Sequence, residues 1–152
     1  MKRLLVALGA IFGLVLVCAI CGIAFLALSA RGLSKESQAY VDDAIPAITL
    51  HWSRDELENR ASPEFSRGIN NEDLMKLLSL FHRDLGGLQK YKGATGGAWV
   101  VFNRSGKDIT ADYVASADYE RAPATIRIKL IRHGERWQIL ALHVDSKAFL
   151  EH

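Results

Sequence analysis

Beyond its first thirty residues the chain has no cysteine; Cys18 and Cys21 both lie in an opening apolar segment. That absence excludes an internal disulfide and a thiolate metal site from the rest of the chain. The Cys-x-x-Cys spacing itself reads as small residues of a membrane helix. A charge bias is missing too. The chain has 19 Lys+Arg and 17 Asp+Glu, Lys2 and Arg3 precede every acid, and the net charge of +2 therefore sits at the very start. Residues 31–152 are neutral. A nucleic-acid partner needs a concentrated basic face, so none is expected. The five histidines, His51, His82, His133, His143 and His152, include no i, i+4 pair and no HExxH, the spacings that hold a metal on a helix. Gly86, Gly87, Gly93, Gly96 and Gly97, with Lys90 and Lys92, fit no phosphate-loop pattern and read as a flexible connection from helix to sheet. Neither a nucleophile elbow nor a Ser-His-Asp order is present. No catalytic residue, metal or cofactor is assigned.

What the chain does have is an uncharged run over residues 4–28, LLVALGAIFGLVLVCAICGIAFLAL. As a helix it is roughly 37 Å long, enough to cross a hydrocarbon core of about 30 Å. The run exceeds a signal-peptide core of about 7–15 residues, so an uncleaved signal anchor is expected. Cleavage at Ala27-Leu28-Ser29 is the alternative. Val17 and Ile20 stand where a lipobox wants small residues. Lys2, Arg3 and the α-amino group outweigh Arg31 and Lys35 by one charge, which orients the N-terminus to the cytoplasm. The expectation is a single-pass protein of the inner (cytoplasmic) membrane, with residues 1–30 as the anchor and 31–152 as a periplasmic or extracellular domain. Gly9 and Gly13 form a GxxxG pair through which a second helix could approach closely.

About 120 residues remain, enough for one domain with its own core. Residues 34–52 read as a helix capped by Ser34, with Val41, Ile45, Ile48 and Trp52 in one apolar stripe. Pro46 lacks a backbone donor and is expected to kink or split that helix near Asp42 and Asp43. Ser53 and Glu56 form a capping-box pattern for a short second helix to about Ala61. Ser62-Pro63-Glu64 predicts at most one further turn. Residues 69–85 read as the best-specified helix: Asn70 caps it, Ile69 and Leu74 form a hydrophobic staple, and Leu74, Leu77, Leu78, Phe81, Leu85 and Leu88 line one face until Gly86-Gly87 ends it.

The period then changes. Residues 98–102 read as a short apolar strand. From Ile109 strict alternation puts Ala111, Tyr113, Ala115, Ala117 and Tyr119 on one face. Ile126, Ile128 and Leu130 continue it, and after a turn at His133-Gly134-Glu135 so do Trp137, Ile139, Ala141 and His143. This pattern predicts an antiparallel meander with one wet face, on which Asp112 and Asp118 could meet Arg127 and Lys129. Helices first and strands afterwards predict an α+β layer fold.

A kinked helix, a short helix, a Leu74–Gly87 helix ending in GGLxxY and a hairpin ending RWQILALHVDS resemble the cystatin-like roll of the nuclear transport factor 2-like superfamily. The likeness is to its single-anchor bacterial members of unknown function, and it covers residues 35–150. It implies three helices packed on a curved antiparallel sheet of about four strands. The ketosteroid isomerase-like members of that superfamily use a carboxylate base and a tyrosine-plus-acid pair; no such trio can be placed here. If a pocket exists, it opens in the concavity and is lined by some of Trp52, Tyr113, Tyr119, Trp137 and His143. The competing expectation is that these side chains, with Trp99, simply fill the core. Two functions follow: a membrane-tethered, non-catalytic interaction or assembly domain, partnered by the lipid bilayer and by a second copy or another membrane protein; or a small apolar ligand-binding or isomerase-like domain.

Overall fold

A computed structural model describes the backbone of residues 2–150 and the side-chain surroundings of 15–24 and 31–150. The chain divides into two compact units, Met1–Leu33 and Ser34–His152. Residues 2–33 belong to helix α1 (Lys2–Thr49). Residues 15–24 are all exposed, Val15 at 62% and Ile23 at 68%. Among the described residues no helix is long and apolar enough to cross a membrane; the apolar run of 4–28 extends beyond them on both sides. Gly9 and Gly13 lie outside the residues whose surroundings are described.

The second unit is α+β. After α1 come α2 (Arg54–Arg60), α3 (Pro63–Gly68) and α4 (Asn71–Leu85), then β1 (Leu88–Asn103), β2 (Gly106–Tyr119), β3 (Pro123–His133), β4 (Arg136–Asp145) and a 3₁₀ turn (Lys147–Leu150). The strands form one antiparallel sheet in the order β1-β2-β3-β4.

Pro46 does not split α1, which runs on to Thr49. The proline forfeits one hydrogen bond and strains the turn, about 3 kcal/mol. Against that, Val41, Ala44, Ile45 and Ile48 are buried at 0–1% exposure, and each large aliphatic among them contributes about 1.5–3 kcal/mol. Ser34 is not a helix cap either, because α1 already passes through it. Trp52 then reverses the chain with φ 53°, a left-handed conformation that costs a non-glycine residue about 1–2 kcal/mol.

The remaining helix starts follow their caps. Ser53 Oγ accepts from the Glu56 amide, and Ser62 Oγ from the Phe65 amide. Glu56 does not reach back to Ser53; its carboxylate pairs with Arg60 at 3.1 Å. Asn70 accepts from the Asp73 amide at 2.8 Å, and Gly86 at φ 78° ends α4. Leu77, expected in the apolar face, is 40% exposed.

The largest departure is β1. Residues 88–97, expected as a loose glycine-rich connection, are strand, and β1 is 16 residues long. The glycines serve the pairing. A Cβ on Gly96 would collide with the Asp112 carbonyl oxygen and come within 2.8 Å of the Tyr113 Cα. Gly93 (φ 97°) sits in one of two register shifts between β1 and β2, where an extra residue bends the strand.

Candidate functional site

The four predicted pocket aromatics are buried and fall at different places along the sheet. At the end of the sheet beside the β2–β3 turn, Trp52 stacks on Tyr119 (centroids 5.3 Å) and meets Phe81 at 5.0 Å, and Phe81 meets Phe149 at 5.6 Å. The Trp52 indole N–H donates to the Gly86 carbonyl at 2.8 Å. Burial pushes the Tyr119 phenol, beside Thr49, up to about 12. Tyr113 lies further along β2. Its hydroxyl donates to the Ser34 carbonyl at 3.0 Å and shares a 2.8 Å hydrogen bond with Ser37 Oγ, which is itself fully buried. Trp137 sits near the opposite end of the sheet, under the Arg132 guanidinium at 5.9 Å. These rings fill the interior between helices and sheet.

His143 departs from expectation. It is exposed, on the face away from the core, as is Ala141. The pairing of β3 with β4 shifts register between Lys129 and Leu130, so that Leu130 faces Ile139 while Lys129 faces Ala141. One extra residue inverts the side-chain alternation. Trp137 and Ile139 point inward before the shift; Val144 takes the inward place after it. His143 Nε2 then reaches Asp145 at 3.0 Å on the outer face. Trp99, the third tryptophan, is 47% exposed.

The outer face is the broad exposed surface of this unit. Thr95, Val114, Arg127 and His143 lie in one cross-strand row, Gly97, Asp112, Lys129 and Ala141 in the next, and Trp99, Thr110 and Ile131 beyond. Ion pairs stitch it: Asp112–Lys129 at 3.6 Å as the alternation predicts, Lys92–Asp118 at 2.7 Å, and Arg127–Asp145 at 3.2 Å. Asp118 meets neither Arg127 nor Lys129, since the β2–β3 register places it opposite Pro123; its partner is Lys92 of β1. Each pair is part-exposed and contributes little on its own.

One contact set escaped the sequence. Ser34, Gln38 and Asp42 form an i, i+4, i+8 polar stripe on α1 that runs along the free edge of β1. Ser34 Oγ accepts from the Ala98 amide at 3.1 Å, Gln38 Nε2 donates to the Ala94 carbonyl at 3.0 Å, and the Tyr91 hydroxyl donates to Asp42 at 2.7 Å. The spacing was visible; its partner was not, because 88–97 did not read as a strand.

A cleft of about 250 Å³ opens between α3, α4 and β4, lined by Leu57, Phe65, Ile69, Leu74 and Leu140 among others, with Glu64 at its margin. There the backbone and His133 hold the Glu64 carboxyl below the usual range. A shallower hollow of about 870 Å³ runs along the ends of β3 and β4 past His143. No family model, curated protein or solved structure matches this chain.

Proposed function

We propose that the chain is a membrane-tethered, non-catalytic interaction or assembly domain: one apolar helix over residues 4–28, N-terminus cytoplasmic, holding a cystatin-like roll on the periplasmic or extracellular side. The observation that carries it is the use made of the aromatic residues. Trp52, Tyr113, Tyr119 and Trp137 are spent on packing, while a whole sheet face is turned outward. Support for the tether comes from residues 15–24, an exposed stretch containing Val15, Leu16, Val17, Ile20 and Ile23 at 53–68%. Water is a poor solvent for such a surface and lipid a good one.

The outward face favours a second copy as partner. It carries Lys92, Arg127 and Lys129 against Asp112, Asp118 and Asp145, a balanced set that can match itself across a two-fold axis. Val114, 46% exposed, lies at its centre. Amine cross-linking of the full chain in membranes is expected to give a dimer that Val114→Glu weakens. Gly9→Ile, run beside it, measures what the membrane helix adds. A chain that stays monomeric and cross-links to nothing would sink the proposal. The apolar-ligand alternative has one observation in its favour, the 250 Å³ cleft beside α4; a fluorescent fatty acid displaced by Leu74→Trp would support it, and no binding would end it.

A further inference from the structure

The two ends of the sheet differ. At one end the β2–β3 turn bonds to the end of α4: the Glu120 amide donates to the Gly87 carbonyl and the Arg121 amide to the Leu85 carbonyl. Gly87 in turn lies against the Leu50 carbonyl, just past the end of α1. At the other end Arg132 meets Glu36 at 3.3 Å and the Ala98 amide meets Ser34. That second end is where the chain enters this unit, and both the β1–β2 and β3–β4 turns lie there.

The β1–β2 hairpin reaches furthest. β2 and β3 last pair at Ile109 and Arg132, whereas β1 and β2 stay paired out to Asn103 and Gly106. Beyond Ala98 the strand continues for five residues, about 17 Å. The last stretch of β1 is apolar and exposed, with Trp99 at 47%, Val101 at 44% and Phe102 at 79%. The turn beyond it is polar and exposed: it carries Arg104 and Lys107 and one acid, Asp108, which Asn103 engages. A free-standing edge of this kind is an aggregation liability in water. Aromatic side chains beside cations are what the lipid interface favours. From Leu28 to Ser34 is six residues of α1, about 9 Å of helix, so the end of the sheet at which the chain enters is close along the chain to the apolar run.

We propose that the β1–β2 hairpin tip is a second membrane contact: Trp99, Val101 and Phe102 enter the headgroup–acyl boundary, and Arg104 and Lys107 bind anionic lipid phosphates. This rests on the anchor reading above. The hairpin then fixes the tilt of the roll against the bilayer and sets which way its outward face points.

Trp99 reports on this directly. The chain has three tryptophans, none in the apolar run, and Trp52 and Trp137 are buried at 4% and 8%. The full chain is reconstituted into phosphatidylcholine–phosphatidylglycerol vesicles, with and without brominated phosphatidylcholine, beside Trp99→Phe. The emission lost in Trp99→Phe is the Trp99 share. Bromolipid is expected to quench that share, since an indole at the acyl boundary lies within reach of the brominated chains. Phe102→Asp together with Val101→Asp should abolish the quenching, and Arg104→Glu with Lys107→Glu should weaken it in phosphatidylglycerol vesicles. A chain that floats with the vesicles while its Trp99 share ignores bromine overturns the hairpin contact and leaves the anchor standing. A chain that does not float refutes both.

Discussion

Replacing Gly96 by alanine tests how tightly β1 is held against β2. The added methyl would overlap the Asp112 carbonyl oxygen and lie 2.8 Å from both the Cα and a ring carbon of Tyr113. Ordinary carbon contacts need about 3.5–4.0 Å. Two of the three obstacles are backbone, so no rotamer change relieves them, and the strands must separate. Overpacking alone costs about 1–3 kcal/mol, and loosening one or two neighbouring ladder hydrogen bonds adds about 1 kcal/mol each. The expected loss is about 2–5 kcal/mol. In a unit of this size that lowers the melting midpoint by roughly 10 °C or more. The assay is thermal unfolding of the full chain in detergent, followed by near-ultraviolet circular dichroism. Gly68→Ala is the control: nothing lies within 4 Å of its added methyl, and as the last helical residue of α3 it should be neutral or slightly stabilising. If Gly96→Ala melts within a degree or two of the native chain, β1 is not packed on β2 at Gly96, and the glycine-rich segment is the loose connection its composition suggested.

Two other perturbations read separate contacts. Ser34→Ala removes the acceptor for the Ala98 amide; it should cost about 1 kcal/mol and speed hydrogen exchange at Ala98 while leaving Ile126 in the core protected. Alkaline pH acts through Tyr119. Its folded-state pKa is raised from 10.0 to about 12 by burial, so the folded form holds its proton longer than the unfolded chain does. The associated stability is complete below pH 10, declines above it and is gone beyond about 12. Tyr119→Phe should flatten that part of the stability–pH curve; an unchanged curve would mean the phenol is not enclosed.

Local physics carried a good part of the fold. Ser62 and Asn70 cap their helices, Gly86 ends α4, and the alternation of Ala111, Tyr113, Ala115, Ala117 and Tyr119 buries that face of β2, because such signals depend on neighbours a few residues away. The candidate pocket was legible residue by residue and not as a place. Burial of Trp52, Tyr113, Tyr119 and Trp137 follows from their apolar faces. Whether buried rings enclose a cavity depends on which of them end up side by side, and strand register decides that.

An apolar N-terminal run, a neutral cysteine-free remainder, helices before strands and an antiparallel meander can all be read from the residues alone. Periodicity, caps and charge are local quantities, readable wherever they occur. Long-range packing makes residues 88–97 strand, lays α1 along the edge of β1 through Ser34, Gln38 and Asp42, and turns His143 outward. Each depends on a partner distant in the chain. The glycines of β1 are explained by atoms of β2, the polar stripe of α1 by backbone groups of β1, and the inversion of β4 by one extra residue opposite Lys129 and Leu130.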